Sequence, residues 1–359
     1  MKRKNFLTGI QIALALVSFS IGVSTGLVQP CRAEIKVFKQ SDMNDAAIAA
    51  RMSEMIDCDV IDLNRNSKVT DEGVKLLTQC HKLSSLNLSN TGATEKSLDS
   101  LVEIKTLKEL ALNFLKLSDS SLEKLSRFDQ INSLGLAFTP VSDQGMAYLE
   151  NLPELDSIYL DATGVTDAGL QSLSKIPKLR MLSLNHSKIT GSGLAFFAGK
   201  DNLKELHLDS TGVTDDGLSA IGKIPALRTL SLRSAHAVTG AGFDKFESKD
   251  FLADIDLSNS SIDDRGAACI AKIPHLRKLN LSGAQITEDG ITSLSALREL
   301  SYLNLTGCQV SKKAASALGE MKNLKELYFT KSGLKKKDLS ELKEMLPGCN
   351  IEVEEDIDI

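Results

Sequence analysis

A leucine that returns every 24 or 25 residues constrains this 359-residue chain more than any other feature. Leu63, Leu88, Leu112, Leu136, Leu160, Leu184, Leu208, Leu232, Leu257, Leu281, Leu305 and Phe329 mark successive units, and Val353 continues the series. A unit of that length is one supersecondary element that cannot bury its apolar side alone, so neighbours must stack and share a continuous core. A length that would otherwise allow two or three closed domains therefore reads as one elongated array.

Within a unit the apolar spacing changes character. Leu179-x-x-Leu182-x-Leu184 and Leu203-x-x-Leu206-x-Leu208 alternate as a short strand with one buried face does. Val165-Thr166-Asp167-Ala168-Gly169-Leu170 follows, then Leu173, Ile176 and Pro177. Thr166 suits a helix N-cap, Asp167 the positive end of the helix dipole, and Leu170, Leu173 and Ile176 one inward stripe. Val213–Leu218 and Ile286–Ile291 repeat the arrangement. The glycine recurring at 145, 169, 193, 217, 266 and 290 lets helix and strand approach closely in this reading.

The pattern L-x-x-L-x-L-x-x-T-x-V-T-D-x-G-L-x-x-L-x-x-I-P, over about residues 58 to 353, resembles the leucine-rich-repeat superfamily. It is most similar to the cysteine-containing and GALA-like subclasses and to exported bacterial members. The resemblance implies an α/β fold: a right-handed horseshoe solenoid with a parallel concave sheet and convex helices. The ninth position, usually Asn or Cys in the superfamily, is mostly a hydroxyl residue here (Thr91, Thr139, Thr163, Thr211), with Cys308 once. These side chains are expected to satisfy backbone groups inside the turn.

Four segments follow. Residues 1–33 have Lys2, Arg3 and Lys4, an apolar run from Phe6 to Val28, and Cys31-Arg32-Ala33, the layout of a secretory signal peptide cleaved before Glu34. The run is also long enough for an uncleaved anchor. Residues 34–57 form an N-terminal cap, with one amphipathic helix from Ser41 to Ile56 turning Ile48, Met52 and Met55 inward. Residues 58–345 are about twelve repeats, and 346–359 a last strand with an acidic tail.

Cleavage removes four basic residues (Lys2, Arg3, Lys4, Arg32) and leaves 38 Lys+Arg against 47 Asp+Glu, net −9, a balance that disfavours nucleic acid. Of the remaining cysteines, Cys58 and Cys80 alone share a repeat. Export permits a disulfide there, but both occupy apolar positions and read as buried thiols. The five histidines are scattered, and His186 and His207 fall roughly 10 Å apart across adjacent rows, too far to share a metal. No GxSxG, HExxH or phosphate-cradling loop occurs, and nothing points to catalysis or a cofactor. Lys200 and Lys249 replace an apolar residue at a helix end, where lysine can meet free carbonyls. An extra residue at Ala235-His236-Ala237 lengthens one strand-to-helix loop, a place where solenoids often carry a binding edge.

With the leucines inside, the alternate strand residues line the concave face. Phe114, Phe138, Tyr159, Asp161, His186, His207, Asp209 and Arg233 fall in neighbouring rows there. Aromatics among polar groups have the composition of a binding hot spot, although Phe114 and Phe138 folding over the strand ends would simply extend the core. The stretch from Ser258 to Thr306 reads as plain solvated sheet. The leading expectation is an extracytoplasmic (periplasmic, envelope or secreted) scaffold for a protein partner. An envelope-glycan binder, with Tyr159 and Tyr328 stacking on sugars, is the second reading. A substrate-recognition arm of a ubiquitin-ligase-like complex is the third, with about two dozen residues left before the first repeat to hold an adaptor-binding domain.

Overall fold

The computed structural model describes residues 35–246, 249–330 and 334–354. The segment expected to be a signal peptide and residues 355–359 of the acidic tail lie outside them. From Lys36 onward the chain forms one compact unit.

Among the described residues fourteen strands form one parallel sheet in chain order. They are β1 (Val37–Lys39), β2 (Val60–Asp62), β3 (Ser85–Asn87), β4 (Glu109–Ala111), β5 (Ser133–Gly135), β6 (Ser157–Tyr159) and β7 (Met181–Ser183). Then come β8 (Glu205–His207), β9 (Thr229–Ser231), β10 (Asp254–Asp256), β11 (Lys278–Asn280), β12 (Tyr302–Gln309), β13 (Glu326–Thr330) and β14 (Asn350–Glu354). Register follows the repeat, with Leu182 beside Leu206 and Leu206 beside Leu230. The recurring leucines are buried throughout. Each strand is linked to the next by a short α- or 3₁₀-helix, so the chain is an α/β leucine-rich-repeat solenoid.

Where the ninth position carries a hydroxyl, it closes the turn from within. Thr139 Oγ1 donates to the Leu136 carbonyl at 2.6 Å and Thr211 Oγ1 to the Leu208 carbonyl at 2.6 Å, while Asn66 does the same for Leu63 through its amide. A buried carbonyl without such a partner would cost about 1–3 kcal/mol.

Two expectations need correcting. The leading cap is a full coil rather than a lone helix. Phe38 of β1 points inward, and two helices, Asp45–Ala50 and Met52–Met55, break at Arg51. Ile48 and Met55 are buried and Met52 partly so. The recurring glycine makes room for the preceding coil's helix start, not for a strand. A Cβ on Gly169 would stand 2.5 Å from Asp143 Oδ1. That oxygen accepts from the Thr166 and Gly169 N–H groups at 2.7 and 3.0 Å, while Oδ2 takes the Thr166 hydroxyl. The acidic residue thus ties its coil to the next one, as Asp167 does with Thr190, Gly191 and Gly193. The two odd lysines meet free carbonyls as expected, and they do so by reaching backwards. Lys200 Nζ donates to the carbonyls of Ser174 and Ile176, and Lys249 Nζ to that of Ile224, all in the preceding repeat.

Candidate binding face

Two residues beyond each recurring leucine the backbone turns left-handed. Arg65, Asn90, Phe114, Phe138, Ala162, His186, Ser210, Ser234, Asn259, Gly283 and Gly307 all have positive φ. Glycine and asparagine tolerate this geometry, whereas a bulky side chain there is strained, at roughly 1–3 kcal/mol. Phe114 (φ 64°) and Phe138 (φ 57°) are the bulkiest departures. Their rings stack at 4.5 Å between centroids and 8° between planes, yet stay 44% and 40% exposed. They do not fold into the core. In the neighbouring concave positions Ala111, Gly135 and Ala137 are small and buried, and Tyr159, next to Gly135 in register, is half-buried.

The other expected residues divide by how much of each is spent internally. Asp209 is 5% exposed. Its Oδ1 accepts from the Ser231 hydroxyl and the Arg233 N–H, and its Oδ2 from Arg233 Nε at 2.7 Å. Its carboxylate is therefore turned to the next coil and holds Arg233 in place instead of facing a partner. Asp161 behaves alike, accepting from Ser183 Oγ and the Asn185 N–H. Burial pushes its pKa up, and those two bonds with the nearby His207 and His186 offset only part of the rise. Asn113 and Asn185 complete the ladder by accepting from the N–H of Ala137 and Asp209. In the column after the leucine, Ser89, Asn113, Asp161, Asn185 and Asp209 thus knit coil to coil. His186 is exposed at the left-handed turn, and His207 and Arg233 are half-buried on the concave side. Among the described residues no three His, Cys, Asp or Glu side chains group so as to hold a metal ion.

Sequence reasoning passed over the first concave position of each strand, two before the residue it did read. That column holds Glu205, Asp254, Lys278 and Tyr302. Tyr302 packs 5.6 Å from Tyr328, their planes tilted by 44°, so the stretch taken as plain solvated sheet carries a second aromatic pair. Tyr328 Oη donates to Glu326 at 3.0 Å, and that bond pushes its pKa up to about 12. Strand alternation applied one step further would have found both columns. At the inserted loop, Ala235 is buried while His236 and Ala237 are exposed. Cys58 and Cys80 are both buried, and burial pushes the Cys80 thiol to about 11, with Cys58 adding to it.

Sheet, helices and turn chemistry define a leucine-rich-repeat fold with an open concave face. A family model described as "Leucine Rich repeat" matches residues 201–222 and 272–295. The fold is similar to that of an internalin from Listeria monocytogenes, with a TM-score of 0.59 at 18% identity, covering 89% of this chain and 91% of that one. It is also similar to the leucine-rich-repeat ectodomain of the plant membrane receptor kinase GASSHO1/SCHENGEN3 from Arabidopsis thaliana, solved in complex with CASPARIAN STRIP INTEGRITY FACTOR 2. There the TM-score is 0.50 at 16% identity, over 79% of this chain and 40% of that one. No curated protein matches in sequence.

Proposed function

We propose that the chain is a non-catalytic, extracytoplasmic scaffold that binds a protein partner on its concave side, anchored by Phe114 and Phe138. The observation carrying this reading is an exposed, stacked aromatic pair held in a backbone conformation that other repeats give to small or polar residues. Strain retained at an exposed apolar pair suggests that the pair is kept for contact. The small residues Ala111, Gly135 and Ala137 offer space for an apolar side chain of the partner, with Tyr159 and Arg233 as further contacts. The export reading rests on residues 1–33, and the cysteine-containing, GALA-like subclass on the repeat pattern.

A glycan-binding reading is favoured by one observation, the Tyr302–Tyr328 pair beside Asn304 and Glu326 on the same face. Affinity capture from the native envelope, using wild type and Phe138→Ala side by side, separates the two. The expected result is a protein retained by wild type and depleted at least tenfold with Phe138→Ala, a loss of 1.4 kcal/mol or more. Equal retention by both, or retention of envelope glycan lost only with Tyr302→Ala, contradicts the anchor.

A further inference from the structure

Both ends of the sheet are open: among the described residues no strand pairs with the outer edge of β1 or of β14. Solenoids ordinarily close their ends with polar covers, and an unpaired strand edge is a template for another chain. Neither end fits that pattern. At the leading end Val37 is 57% and Ile56 36% exposed. At the trailing end Ile351 and Val353 are only half-buried, and with Phe329, Leu334 and Leu339 they wall a cavity of about 290 Å³.

The two ends also differ in charge. The leading strand edge carries exposed Lys36 and Lys39, and the trailing edge exposed Glu352 and Glu354. On the helical side the signs reverse. Lys335, Lys336 and Lys343 rim the trailing cavity, while Asp42 is exposed at the leading end, where Glu54 is paired with Arg51. Like ends brought together would oppose like charges, so a two-fold dimer through either end is disfavoured. Unlike ends complement each other on both sides.

Register supports the same arrangement. β1 sets Phe38 beside Ile61 and Lys39 beside Asp62, and Lys39 Nζ already lies 2.8 Å from Asp62. β13 sets Leu327 beside Ile351 and Tyr328 beside Glu352. Continued by one step, the pattern puts Phe38 of a second copy beside Ile351 and its Lys39 beside Glu352. We propose that the trailing end of one molecule receives the leading end of another, so that copies stack head to tail and the sheet runs on between them. Such a contact is heterologous and does not close on itself, so the product is an open-ended series of oligomers.

Sedimentation velocity on the purified protein over a wide concentration range tests this. The expected result is a weight-average coefficient that climbs without a dimer plateau and climbs less in high salt, where exposed charges are screened. Glu352→Lys should raise the concentration for half-association by about tenfold or more, since it then faces Lys39 of the next copy. Adding Lys39→Glu to the same chain should restore assembly. Both side chains are exposed, so the melting temperature of each variant serves as the fold control. A monomer at every concentration, a closed dimer, or association indifferent to the reversal overturns the proposal. None of these outcomes bears on the Phe114–Phe138 anchor, which lies on a different part of the molecule.

Discussion

At most helix starts one carboxylate binds its coil to the next, and Asp167 shows the balance that results. Burial alone would raise its pKa. The N–H groups of Gly193, Thr190 and Gly191 and the Thr190 hydroxyl outweigh burial, so the group ends below the ordinary carboxylate range. Asp71 and Asp264 end lowered for similar reasons, burial opposed by bonds from the following repeat. A carboxyl whose pKa is lower folded than unfolded adds stability above its unfolded pKa and loses it as pH falls through the folded value. Unfolding free energy should therefore hold near neutral pH and decline below about pH 4. Asp167→Asn should flatten that decline in an equilibrium unfolding series and cost about 1–2 kcal/mol at neutral pH, the worth of a lost charge-assisted bond. An acid slope identical to wild type contradicts this role.

At the scale of the element, the recurring glycine and the acidic residue work as a pair. The carboxylate of one coil occupies the space that a side chain on the next coil's glycine would need. Gly169→Ala should therefore destabilise by about 1–3 kcal/mol, as overpacking does. Gly348→Ala, which meets nothing within 4 Å, should leave the melting temperature nearly unchanged. Equal effects of the two in thermal melts would remove the steric explanation. The motif Thr-Asp-x-Gly was legible in the sequence, but its chief connection was not. Helix propensity explains why Asp167 begins a helix, whereas its reach to Thr190 depends on how far apart successive coils stand. Lys200 and Lys249 do meet free carbonyls, as expected, but that those carbonyls lie a repeat earlier was hidden for the same reason.

Across the whole molecule the array was readable because burial is periodic. A leucine every 24 or 25 residues admits a stacked solution, and the parallel, in-order sheet is that solution. The face was less readable. Asp161 and Asp209 looked available because alternation puts them on the concave side, but alternation does not say where their hydrogen bonds go. Tyr302 went unnoticed because the first strand position was not read. The left-handed column was hidden because most repeats fill it with unremarkable residues, and its strain emerges only from dihedral angles. The β1 coil was missed because Phe38 stands where the other repeats show leucine or isoleucine.

The central claim is that Phe114 and Phe138 are kept for a partner at a cost to the isolated protein. The most direct measurement takes the double variant Phe114→Asn/Phe138→Asn and records, side by side, its melting temperature and its retention of the protein that wild type captures. Asparagine accepts the left-handed backbone, so the account predicts a protein at least as stable as wild type, by up to about 1–3 kcal/mol for strain relieved, that no longer retains the partner. A variant that melts well below wild type would show that the rings support the fold, and one that retains the partner undiminished would show that they do not anchor it.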